Sequence, residues 1–155
     1  MKKELIGICG LYCGGCDNYL AFQPDGRHLL KTQKYAGKDH APLKCGGCNS
    51  SSLSEHCGSC AIRKCARGKN LLHCGECGAF PCGKIEEFHR DGEKWEIAKH
   101  RLDILKNSES LKETNPASWL RMFAAKWTCR CGQRFSYYES RCSNCGATLA
   151  SYSNS

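Results

Sequence analysis

Valine is absent from the chain, and Leu, Ile and Phe together make up about 16% of it, below the roughly 20% at which a highly charged chain starts to look disordered. A core built from these residues alone is thin for 155 residues. Missing too is any apolar run of membrane-spanning length. The first residues, Met1-Lys2-Lys3-Glu4-Leu5-Ile6-Gly7, lack the apolar stretch of a secretory signal. These absences predict a cytoplasmic chain with no membrane partner, kept in a compartment where disulfides do not persist.

What the chain has instead is fifteen cysteines. Small domains that bury little apolar surface are stapled by disulfides or metals. In a reducing compartment, repeated CxxC spacing and an odd count both favour metal. The formal charge of +8 suggests acidic partners, but it treats each cysteine as a neutral thiol. With all fifteen bound as thiolates to four zinc ions the net charge falls to about +1, so the basic balance says little about nucleic acid.

The strongest motif is Cys129-Arg-Cys131-Gly followed by Cys142-Ser-Asn-Cys145-Gly. Each short turn can present two thiolates to one ion, and Gly132 and Gly146 let amide donors approach the sulfurs. The ten residues between the pairs leave room for a hairpin around Phe135, Ser136, Tyr137 and Tyr138, so the expected structure is a closed β zinc ribbon.

The N-terminal block is denser. It holds Cys9-x3-Cys13-x2-Cys16, Cys45-x2-Cys48, Cys57-x2-Cys60-x4-Cys65 and Cys74-x2-Cys77-x4-Cys82, the last two a repeat offset by seventeen residues. Eleven cysteines are one short of the twelve ligands of three tetrahedral sites. Either a histidine such as His56, His73 or His89 completes the set, or one cysteine is free, or a three-cysteine site keeps an open position for water or substrate.

An iron–sulfur cluster remains an alternative for this block. Cys9, Cys13 and Cys16 have the spacing of radical-SAM enzymes, but too little chain follows for their barrel; the tight runs of ferredoxins are missing. No thioredoxin-like strand pattern accompanies any CxxC, and nothing supports Cys/His nucleophilic catalysis. Basic groups stand at Arg63-Lys64, Arg67 to Lys69 and Arg121 to Arg134; the first lies between cysteines and is expected to offset thiolate charge by N–H···S contacts, with phosphate binding as the alternative. Trp127, Phe135, Tyr137 and Tyr138 either cover the C-terminal metal or stack on bases.

Helices are expected mainly between Cys82 and Cys129. Ile85, Phe88 and His89 share a face after Pro81, with Asp91-Gly92 as a stop. Trp95, Ala98, Leu102 and Leu105 recur at helical spacing. Asn115-Pro116 opens a helix carrying Trp119, Leu120, Phe123 and Ala124, and residues 107–115 read as a polar connector. One more helix is expected within residues 17–36, around Tyr19, Leu20 and Phe22 or around Leu29, Leu30 and Gln33, with a turn at Pro24-Asp25-Gly26. Residues 49–55 read as a polar insertion and residues 150–155 as a frayed tail.

Laid out in this way, the chain resembles the prokaryotic cysteine-rich family known as domain of unknown function 3795. The resemblance rests on Gly7-Ile-Cys9-Gly-Leu-Tyr-Cys13-Gly-Gly-Cys16, Cys45-x-Gly-Cys48, Cys60-x-Ile-Arg-Lys-Cys65-Ala66 and Cys74-x2-Cys77-x2-Phe80-Pro81-Cys82, and covers roughly residues 5–125. It implies a cytoplasmic, prokaryotic, zinc-binding protein and brings no reaction with it.

The expectation is therefore a small α+β protein: residues 1–125 a cysteine-rich metal-binding domain with three to four helices, residues 126–150 a β zinc ribbon, residues 151–155 a tail. It binds about four zinc ions and serves as an interaction module for protein or nucleic acid. The alternative is a metal-dependent enzyme or redox or metal sensor acting at an incompletely ligated N-terminal site.

Overall fold

The computed structural model describes residues 2–154. Its helices are α1 (Asp17–Leu20), α2 (Glu55–Ser59), α3 (Ala61–Gly68), α4 (Gly83–Lys94), α5 (Ile104–Glu113) and α6 (Pro116–Lys126), with 3-10 turns at Cys13–Gly15, Pro24–Lys31, Cys74–Glu76 and Glu96–Asp103 among others. The fold is helical. Among the described residues there is no strand; extended pairing is confined to the isolated antiparallel bridges Ile6↔Tyr12, Thr128↔Arg134 and Arg141↔Thr148.

The α+β class and the β ribbon expected at the C-terminus are therefore corrected. The reason lies in where the connector between the two C-terminal turns sends its hydrogen bonds. Tyr137 N–H donates to Gly15 O (2.9 Å) and Tyr137 O accepts from Tyr152 N–H (2.9 Å), while the Tyr137 hydroxyl donates to Tyr12 O. The segment is thus spent on anchoring to the N-terminal region, and each cysteine turn closes with one bridge of its own.

Helix α6 follows the expected chemistry. Asn115 caps it, its Oδ1 accepting from Ser118 N–H at 2.9 Å, Pro116 occupies the first turn, and Trp119, Leu120 and Phe123 are buried. Replacing Asn115 by Ala orphans that amide and should cost about 1 kcal/mol in urea unfolding.

Elsewhere the helix boundaries move. Helix α4 runs through Asp91-Gly92 and ends before Trp95; Gly92 packs so closely that a Cβ there would lie 2.9 Å from Leu102 Cγ. Residues 96–103 form a 3-10 turn in which Ala98 is buried, so the apolar stripe drawn for an α-helix does not exist as a face. Trp95 and Leu102 from that stripe are exposed. The expected connector is mostly helix α5, which buries Ile104, Asn107, Ser108 and Leu111. Helices α2 and α3 arise inside the cysteine block, outside the stretch between Cys82 and Cys129 where helices were mainly expected; Ser54 Oγ caps α2 by accepting from Cys57 N–H at 3.4 Å.

The largest core joins both ends of the chain. Trp119 stacks on Phe123 with ring centroids 4.1 Å apart, Tyr12 meets both, and Trp127, Phe135, Tyr137 and Leu149 complete the cluster. A second cluster holds Ile8, Ile62, Ala66, Ile85 and Ile104 beside the cysteine loops. The tail is docked rather than frayed over its described residues: Tyr152 Oη donates to Asp103 Oδ2 (2.6 Å) and Asn154 Nδ2 to Leu149 O (2.8 Å).

Candidate metal centre

Helix α6 is capped at its C-terminus by Trp127, which is buried and delivers the chain into the first C-terminal turn. Gly132 and Gly146 sit at φ +91° and +71°, the left-handed backbone that turns each segment back beneath its cysteines. The four sulfurs converge. Cys129 Sγ lies 3.7 Å from Cys145 Sγ, and Cys131 Sγ 3.6 Å from Cys142 Sγ. Among the described residues, Cys129, Cys131, Cys142 and Cys145 are the one group of three or more His, Cys, Asp or Glu whose ligand atoms all lie within 4.8 Å of one another.

At Cys131 the surroundings favour the thiolate. The backbone N–H of Gln133 and the Asn144 side-chain amide (3.5 Å) both point at Cys131 Sγ, lowering its pKa to about 6. Cys129 and Cys142 are buried, Cys131 and Cys145 exposed. This asymmetry gives an ion a closed inner side and a wet outer one.

Contacts outside the quartet fix it to the rest of the chain. Arg134 forms a two-pronged pair with Asp25, which holds that carboxyl below its usual range chiefly through the Arg134 hydrogen bond. Glu139 meets His28. His100 stacks on Tyr137 at 5.1 Å and pairs with Tyr138 Oη at 2.6 Å. None of these partnerships carries a sequence motif.

Burial, aided by Arg101, lowers the His100 pKa to about 4. An unfolded imidazole takes its proton near pH 6.5. The folded one resists until about pH 4, so the contribution is complete above pH 6.5 and is lost as pH falls from there toward 4. The loss is about 2 kcal/mol, allowing for partial exposure. His100→Phe should flatten that part of the stability-versus-pH curve relative to the unsubstituted protein.

None of the eleven N-terminal cysteines forms a disulfide, and they sort into neighbourhoods. Cys45 shares a hydrogen bond with Cys57 and accepts from backbone N–H groups of Ser54 and Gly47, which pull it down to about 5; Cys16, raised by burial to about 12, has Cys45 nearby. Cys13 faces Cys48, whose N–H donates to Cys13 Sγ at 3.4 Å. Cys9, pushed up by burial, has Cys48 and Cys60 around it. Thus Cys9 and Cys13 share Cys48 as a neighbour, while Cys16 looks toward Cys45. Cys65, Cys74, Cys77 and Cys82 line a common cavity. Arg63 Nε, where an N–H···S contact was expected, donates instead to Cys48 O, while Lys69 Nζ donates to Cys77 Sγ at 3.4 Å.

The histidines considered as a further ligand are differently occupied. His89 Nε2 pairs with Leu102 O at 3.2 Å. His73 is buried, with Nε2 3.8 Å from Glu76 Oε1 and Nδ1 lacking a hydrogen-bond partner; burial lowers its pKa. His56 lines a shallow pocket with Asn18 and Ser54.

A helical, cysteine-rich chain with one preformed four-thiol site competent to hold a metal ion is the class this geometry defines. Residues 5–87 match the family described as protein of unknown function DUF3795, and the chain belongs to it. No curated protein and no solved structure matches the chain significantly. Among the described residues, no helix is long and apolar enough to cross a membrane.

Proposed function

We propose that this is a zinc-binding protein in which Cys129, Cys131, Cys142 and Cys145 hold one structural zinc ion, making residues 127–154 a clamp across the N-terminal region. The observation that carries the reading is the sulfur spacing. Four thiolates about 2.3 Å from a zinc ion lie about 3.8 Å apart along a tetrahedron's edges, and the Cys129–Cys145 and Cys131–Cys142 sulfurs are 3.7 and 3.6 Å apart. All four ligands are protein, so no coordination position is left for substrate at this ion, and its role is structural.

A protein partner suits this role better than nucleic acid. Trp127, Phe135 and Tyr137 are buried and have no free face for a base, whereas Trp95 and Ile97 stand 62% and 81% exposed. Fifteen cysteines with no disulfide among them suit a reducing, cytoplasmic setting. Zinc-edge X-ray absorption tests the site: in a variant keeping only these four cysteines' zinc, a shell of four sulfurs near 2.3 Å is expected, and nitrogen or oxygen in that shell would refute it. For the partner, the protein should pass through immobilised RNA and DNA at low salt; retention that salt reverses would restore the nucleic-acid role.

A further inference from the structure

The cavity between α3, the Cys74–Glu76 turn and the start of α4 differs from the C-terminal quartet. Cys65, Cys74, Cys77 and Cys82 all line it, yet among the described residues they are not a group whose sulfurs fall within 4.8 Å of one another. The space they surround is about 50 Å³, enough for about three or four waters. Four thiolates closed on a single zinc ion touch one another and leave no such space. The walls do not suit water either: Ile62, Phe80 and Ile85 contribute apolar surface, and apart from the thiols only Lys69 and Lys84 are polar.

We propose that this cavity takes a four-iron, four-sulfide cluster, with one iron bound by each of Cys65, Cys74, Cys77 and Cys82. A cubane cluster spreads its cysteine sulfurs beyond the reach of one ion and fills the space between them with inorganic sulfide, and an apolar shell with few donors is among the levers that set its potential. The donors that are present compensate the anionic cluster at its edge. Lys69 Nζ lies 3.4 Å from Cys77 Sγ, the Ala79 backbone N–H also reaches that sulfur, and Cys82 is the N-cap residue of the twelve-residue α4, where the helix dipole favours negative charge. The two CxxC-x4-Cys repeats are not equivalent in this arrangement. The second supplies three ligands and the first lends only Cys65. The proposal is independent of the zinc assigned to the C-terminal quartet.

The test is anaerobic reconstitution of the full chain with ferrous iron and sulfide, read by bound iron and sulfide, visible absorption, and electron paramagnetic resonance after reduction with dithionite. About four iron and four sulfide per chain are expected, with a brown colour and a half-integer-spin signal on reduction. Cys65 is exposed on α3, so Cys65→Ser should fold, shown by unchanged far-UV circular dichroism and retained C-terminal zinc, while losing at least half of the iron. Cys16→Ser should keep all of it. A colourless protein that takes only zinc in this cavity, two iron per chain, or iron lost from Cys16→Ser but kept by Cys65→Ser, would each overturn the assignment.

Discussion

Cys142→Ser is expected to cost more than about 4 kcal/mol and to release the C-terminal clamp, because removing one buried ligand forfeits most of the folding free energy that a structural zinc contributes. Cys142 is 4% exposed and its N–H donates to Ala147 O at 2.8 Å, so serine fits the turn sterically while failing as a zinc ligand. The loss should extend beyond the site itself. Tyr137, Phe135 and Leu149 belong to the same core as Tyr12 and Trp119, so freeing residues 127–154 exposes one side of the main aromatic cluster. Near-UV circular dichroism should fall and protease cleavage should appear between α6 and the C-terminus, and a strong chelator should reproduce both. Unchanged near-UV signal in the variant would show that the clamp holds without metal.

Trp119→Ala is expected to be nearly as damaging, at about 3–5 kcal/mol, or a fall in melting temperature of roughly 10 °C. The indole is fully buried, stacks on Phe123, meets Tyr12 edge-on and donates from Nε1 to Asn107 O at 3.2 Å. It therefore ties α6 to α5 and to the loop carrying Cys9 and Cys13. In a chain without valine and with few other large aliphatic residues, little can collapse into the space it leaves. Trp119→Phe keeps the stacking but loses the hydrogen bond to Asn107 O, whose carbonyl sits within α5, and should cost about 1–2 kcal/mol. Thermal melts of the two variants separate packing from hydrogen bonding.

Both of these sites could be read from the sequence. The C-terminal quartet was legible because its ligands come in two short turns, and local spacing alone nearly fixes the sulfur geometry. Helix α6 was legible for a similar reason, since Asn115, Pro116 and the spacing of Trp119, Leu120 and Phe123 agree with one another. Helix α5 was hidden although its buried positions, Ile104, Asn107, Ser108 and Leu111, are spaced as a helix requires. Two of them are polar, so a hydrophobic pattern reads the segment as a connector. Ser108 is buried because Gly10 presses against it: a Cβ on Gly10 would lie 2.4 Å from Ser108 Oγ. Only the tertiary fold brings those residues together.

The β ribbon failed for a related reason. The residues between the C-terminal turns have hairpin-like composition, but Tyr137 bonds to Gly15 and Tyr12, more than a hundred residues away in sequence. The docked tail depends likewise on Asp103 and Tyr137, which the tail's polar composition cannot reveal. In the N-terminal block, the order of cysteines along the chain does not follow their grouping in space. Cys65 belongs with Cys74, Cys77 and Cys82 around one cavity, although the repeat pairs it with Cys57 and Cys60.

The zinc content of the purified protein, compared between the unsubstituted chain and Cys142→Ser by elemental analysis, tests the central claim most directly. One zinc ion fewer per chain in the variant is the predicted result. Equal zinc in the two proteins would contradict the assignment of the C-terminal quartet as a zinc site.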